Sequence, residues 1–271
     1  MSPTIATIAS TARTLLFVPG TRPERFDKAV ASGTDLVVLD LEDAVEPSSK
    51  SDARENVRKW LADGNRAAVR INSHGSRHWD ADLAMVAEHD VVVMIPKSED
   101  PNVVGRVAAG SPVIALVETA QGVLVAPQLS AVRGVVRTAL GHIDLAAELG
   151  IDPDARDALL FARSNLVFAA AANGLNAPID GVTTSLADAE VLRSDLDYAK
   201  SLGLGGKLCI HPSQVARSQA AMLPSAADVD WARGIVASQV SAGGVANVDG
   251  QMVDPPVIAR AERILMAVGE R

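Results

Sequence analysis

Cysteine is almost missing from this sequence: one residue, Cys209, stands in 271. That excludes an internal disulfide and a cysteine-based metal cage. Aromatic residues make up only 3% of the chain, so a core has to be built from Val, Ala, Leu and Ile. An excess of positive charge is missing too. The formal net charge is −8, which argues against a nucleic-acid surface, although an acidic chain can still hold a small basic pocket for an anionic ligand. No apolar run reaches the roughly 20 residues of a membrane span. The start, MSPTIATIASTARTLLFVPG, lacks a basic end followed by a long apolar core. No export signal is read there, and a cytoplasmic protein is expected.

What the sequence does have is apolar residues, 48% of the chain, gathered in short β-branched runs. The runs are TLLFVPG ending at Gly20, DLVVLDLED at Asp43, AAVRIN at Asn72, DVVVMIPK at Lys97, PVIALVET at Thr119, VVRTALGHID at Asp144, APIDGV at Val182 and GKLCIHPS at Ser213. Most are nearly continuous in hydrophobicity, as parallel strands buried on both faces require. Helical stretches separate them, the longest being DARDALLFARSNLVFAAAANG, stopped at Gly174. Eight strand–helix units predict an α/β fold, a (β/α)8 TIM barrel over residues 1–213. An open doubly wound sheet is the competitor, but VPGTRPERF is not a dinucleotide-binding turn. Residues 214–271 are expected to form C-terminal helices and a lid. Ser225 three residues before Asp228 marks a helix start, SAGGVANVDGQMVD is expected as a loop, and PPVIARAERILMAV as an amphipathic helix.

Catalytic groups of such barrels lie at the carboxyl ends of the strands. The polar residues collect there: Asp40, Glu42 and Asp43, then Arg70 and Asn72, Lys97, Glu118, His142 with Asp144, and His211. The apolar run before Glu118 delivers a carboxylate where desolvation is costly, so a cation, a metal ion or a hydrogen-bond network has to offset it. Carboxylate oxygens with open coordination positions suit Mg2+ better than zinc. Plainer roles stand beside each reading. Glu118 can accept from the next helix N-terminus, Asp144 can cap LAAELG, and Arg70 can pair with Asp40 or Glu42. Asp254, before two prolines, makes a good helix cap, His211-Pro212 reads as a strand-end turn, and Cys209 as core.

Together LLFVPGTRPERFDKA, DLVVLDLEDAVEPSSKSDAR, VRIN, IPKSE, IALVET, GLGGKLCIHPSQV and DGQMVDPPVIARAERIL resemble the citrate lyase β-subunit-like proteins of the HpcH/HpaI aldolase and malyl-CoA lyase superfamily. The match runs from about Leu15 to Leu265. The resemblance implies a trimeric or hexameric barrel that binds Mg2+ and a coenzyme A thioester. It implies cleavage or formation of a carbon–carbon bond between a 2-keto acid and an acyl-CoA enolate. Carried over by position, Glu118 and Asp144 match metal ligands, and Arg70 matches the arginine at the keto acid and enolate oxygen. Arg22, Arg25 and Lys28 match the basic stretch near the CoA phosphates. Asp254 matches a catalytic acid on a lid that reaches a neighbouring subunit. One departure stands out: where the family's sixth strand commonly ends Gly-Ala-Glu-Asp, this chain reads Gly141, His142, Ile143, Asp144. An aldolase acting on free hydroxy-keto acids, a malyl-CoA thioesterase and a non-catalytic CoA-binding protein are the alternatives.

Overall fold

Eight parallel strands close into a barrel in chain order: β1 (Thr14–Pro19), β2 (Leu36–Asp40), β3 (Ala68–Arg70), β4 (Val92–Ile95), β5 (Val113–Val117), β6 (Val135–Leu140), β7 (Ile179–Asp180) and β8 (Gly206–Cys209). The computed structural model describes residues 3–242, 246–248 and 251–270. It divides into two compact units, Met1–Gln219 and Ala220–Arg271. Pairing of Leu16 with Cys209 closes the ring.

The strand alternation explains the continuous apolar runs. Leu15, Val38, Ala68, Met94, Ile114, Leu116, Ala139, Ile179 and Leu208 cluster together. Their neighbours Leu16, Leu39, Val69, Val93, Ala115 and Cys209 join a second cluster with helical residues such as Val57, Val104 and Leu166. With side chains alternating along a strand, the first set fills the barrel and the second meets the helices. A short helix, Ile5–Thr11, capped by the Thr4 side chain, adds Ile5 and Ala9 to the inner cluster. The buried Arg137 guanidinium donates to the carbonyls of Ala12 and Ala177, on the segments that lead into β1 and β7.

The long helix predicted before the seventh strand spans Leu160–Ala172, and Gly174 follows with φ +69°. In the second unit Ser225 and Asp228 hydrogen-bond reciprocally, Ser225 Oγ lying 2.6 Å from one Asp228 carboxylate oxygen while the Asp228 N–H donates back at 3.0 Å. They start the helix Ala226–Ala242, which packs with Pro255–Ala267 around Val229, Ala232, Ile235, Ala261 and Leu265. The expected loop needs correction. Part of it is an antiparallel pair, β9 (Ala246–Val248) with β10 (Gln251–Val253), while residues 243–245 and 249–250 lie outside the described set. Among the described residues no helix is long and apolar enough to cross a membrane.

Candidate active site

Strand parity sets the site. Val38, Ala68 and Leu116 belong to the inner cluster, so two residues further on Asp40, Arg70 and Glu118 point into the mouth of the barrel. Arg70 grips Asp40 with two nearly parallel hydrogen bonds, Nε to Oδ1 at 2.8 Å and Nη2 to Oδ2 at 2.7 Å. Its Nη1 lies 3.1 Å from Glu42 and 3.4 Å from Asp43. The guanidinium stacks 4.9 Å from the centre of the Phe17 ring. Asp40 also accepts from the N–H groups of Glu42 and Ala44, which folds the loop after β2 back over the strand end. Burial disfavours the Arg70 charge, but Asp40, Glu42 and Glu118 outweigh it and raise its pKa above the ordinary value.

Glu118 is only 1% exposed. Its Oε1 accepts the Lys97 backbone N–H at 2.9 Å. Lys97 adopts φ +46°, a left-handed conformation uncommon for a residue with a side chain. The Lys97 ammonium then stands among three carboxylates: 3.0 Å from Glu42, 3.8 Å from Glu118 and 3.9 Å from Asp144. Burial pushes the Glu118 carboxyl up to about 8. Glu42 and Asp144 push the same way, and Arg70 and Lys97 only partly oppose them. Glu42 is likewise raised, first by burial. The mouth therefore holds more negative charge than its cations neutralise.

Glu118 and Asp144 line one cavity of about 360 Å3 with Asp40, Asp43 and Arg70. A small dication fits this donor set, because Mg2+ takes one or two carboxylates and keeps water or substrate oxygens elsewhere. Among the described residues no three His, Cys, Asp or Glu side chains form a ready-made metal cage.

The other expected residues fall in three places. Arg22 and Arg25 line a second cavity of about 490 Å3, and Ala44 borders both cavities. Lys28 is exposed on the helix Phe26–Ala31 and is not part of that lining. Asp254 belongs to the second unit, where its carboxylate accepts from the Val257 N–H and caps the helix Pro255–Ala267. Asp144 is not a helix cap. The helix His142–Leu149 starts after Gly141, which puts Asp144 in its first turn. The turn reading of His211 is what the geometry shows, with its ring bonded to Ser213.

Lys97, Asp40 and Gly141 belong to the site although the sequence alone does not single them out. Lys97 and Asp40 were visible as polar strand ends, but nothing local revealed which acids Lys97 would meet. A Cβ on Gly141 would lie 2.5 Å from Glu118 Cβ and Oε2, so the glutamate dictates glycine there. His142 is buried with Nδ1 unpartnered, and burial pushes its pKa down to about 4. A side chain at Gly181 would overlap that nitrogen.

A closed (β/α)8 barrel with an acid-rich mouth at the carboxyl ends of its strands places the candidate site where barrel enzymes carry their chemistry. The chain belongs to the HpcH/HpaI aldolase/citrate lyase family, whose profile matches residues 13–212, and it is an enzyme of that family. It is 39% identical over 262 residues to a citrate lyase subunit beta-like protein of Mycobacterium tuberculosis, covering 94% of this chain and 95% of the relative. It is 34% identical to a (3S)-malyl-CoA thioesterase of Cereibacter sphaeroides, covering 93% of each. The crystal structure of CitE from Mycobacterium tuberculosis in complex with magnesium, acetoacetate and coenzyme A superposes with a TM-score of 0.86 at 37% identity, covering 96% of this chain and 99% of that one.

Proposed function

We propose that this protein is a Mg2+-dependent lyase that splits a 3-hydroxyacyl-CoA of the citryl- or malyl-CoA type into a 2-keto acid and an acyl-CoA. The observation that carries the reading is the convergence of Glu118 and Asp144 on one cationic position, the Lys97 ammonium, beside a cavity that both carboxylates and Arg70 line. Glu118 and Asp144 would hold the metal ion. When bound, Mg2+ supplies a dication that lowers the pKa of a substrate hydroxyl and polarises its oxygens. Arg70, fixed by Asp40, offsets negative charge as it develops, an effect that can be worth a few kcal/mol. In cleavage the hydroxyl gives up its proton to solvent as its oxygen becomes the keto carbonyl, and the bond between the hydroxyl-bearing carbon and the thioester α-carbon breaks. The electron pair passes to the thioester as an enolate, which takes up a proton. Asp254 is our choice for that proton donor, acting from the lid of a neighbouring copy. Arg22 and Arg25, with Lys28 outside them, would receive the CoA phosphates, and Ala44 links their cavity to the mouth.

We also read the chain as a homotrimer or hexamer. On the helix Leu160–Ala172, Phe161 is 63% and Phe168 75% exposed, and Leu124, which follows the residue whose carbonyl accepts from Asn165, is 65% exposed. Large side chains left in water at this level suit contact with another chain.

The test is mass-spectrometric product analysis with Mg2+ and citryl-, malyl-, methylmalyl- and hydroxymethylglutaryl-CoA. Glu118→Ala and Asp144→Ala are each expected to lower turnover by about 100-fold or more while circular dichroism stays that of the wild type. Full activity without either carboxylate would remove the scheme. The malyl-CoA thioesterase relative favours hydrolysis as a second reading. The same spectra separate the two: a keto acid and an acyl-CoA for the lyase, free CoA and a hydroxy acid for the thioesterase.

A further inference from the structure

Lys97 stands at the barrel mouth with more carboxylates around it than one ammonium can bond. Its Nζ lies 3.0 Å from Glu42, 3.8 Å from Glu118 and 3.9 Å from Asp144. Only the Glu42 contact is a hydrogen bond. The other two are too long for one, so charge alone ties them to the ammonium. They are also the two carboxylates proposed to hold Mg2+. The ammonium thus stands where a dication bound to both would have to compete with it.

The backbone and the side chain of Lys97 do separate jobs. The N–H donates to Glu118 Oε1 at 2.9 Å, and that bond does not depend on where the side chain goes. The Glu118 side chain is only 1% exposed, whereas that of Lys97 is 38% exposed. Lys97 also borders a further cavity of about 210 Å3, lined in part by Glu99 and Asp100. An ammonium that leaves the mouth on that side meets carboxylates again.

Like charges a few ångströms apart in a poorly solvated site repel strongly. An ammonium and a dication on the same two carboxylates therefore exclude one another. With neither in place, Glu42, Glu118 and Asp144 would face each other with less charge to offset them. A lysine tethered to the same chain removes that repulsion, and an ion of twice its charge can take its place.

Resting on the metal reading of Glu118 and Asp144, we infer that Lys97 is a built-in counter-ion of this site. Its ammonium holds the carboxylates together and withdraws toward the Glu99–Asp100 cavity when Mg2+ binds. Lys97 is then a positioning residue that sets the affinity for the ion without ligating it.

Calorimetric titration of the full chain with MgCl2, with no substrate added, tests this independently of turnover. Lys97→Met and Lys97→Gln are expected to bind Mg2+ about ten-fold or more tightly than the wild type, and to melt at a lower temperature before Mg2+ is added. Lys97→Arg, which keeps the charge, is expected to bind the ion no more tightly than the wild type. Unchanged or weaker binding by the neutral variants overturns the inference, and so does equal tightening by Lys97→Arg. Either result leaves the lyase reading standing as long as the wild type binds Mg2+. A crystal structure grown with Mg2+ is expected to show Nζ beyond about 4 Å, the reach of an ion pair, from both Glu118 and Asp144. Nζ within that distance of both, with the ion bound, overturns the withdrawal. No Mg2+ binding by the wild type or by any variant defeats the metal reading and the inference with it.

Discussion

Glu118 is a carboxyl that the protein buries without giving it a cation of its own. Its folded-state pKa of about 8 lies above the 4.5 of an unperturbed glutamate, with burial the largest cause. The sign follows from linkage: the folded protein binds this proton more tightly than the unfolded chain, so its contribution to stability is fully present below pH 4.5 and is lost as pH rises through 8. Metal-free protein should melt at falling temperature between pH 5 and pH 9, and Glu118→Gln, which cannot ionise, should flatten that slope. Scanning calorimetry in a chelating buffer measures it, and identical slopes for the two proteins would show that the carboxyl does not titrate in this range. Glu118 was legible in the sequence as a polar residue closing an apolar run. Lys97 as its neighbour was not, because the contact depends on a left-handed backbone at Lys97.

At the scale of elements, the turn from β6 into the helix His142–Leu149 is shaped by what lies across it. Gly141 has a negative φ, so no backbone argument demands glycine, yet an added Cβ would overlap Glu118. Gly141→Ala is expected to destabilise by about 1–3 kcal/mol, the usual range for overpacking, and to weaken Mg2+ binding by displacing Glu118. Gly105→Ala is the control. It sits in the helix Pro101–Ala108 with nothing nearer than 3.8 Å to a new Cβ, and a gain of up to about 1 kcal/mol is expected there. Urea unfolding reads both. The eight strands were legible because runs buried on both faces are continuous in hydrophobicity. The pairing of β9 with β10 and the helix Ile5–Thr11 were not. The first is only three residues on each strand, and the second offers two residues, Ile5 and Ala9, to the core.

For the whole molecule, a chain with four phenylalanines leaves two of them, Phe161 and Phe168, in water two turns apart on one helix. Light scattering is expected to give a mass three or six times that of the chain. Replacing both residues by Asp should release monomers whose circular dichroism is unchanged. A monomeric wild type would end the assembly reading.

The sequence by itself determined the barrel, its parity and the ring of polar residues at the strand ends, because alternation and apolar runs are properties of adjacent residues. Tertiary structure alone decided which of those residues meet. Arg70 and Asp40 are 30 residues apart, Lys97 and Glu42 are 55 apart, and only closure of the ring brings them within hydrogen-bonding distance. Local pattern fixes which way a side chain points, whereas charge neutralisation and proton affinity depend on distances through space.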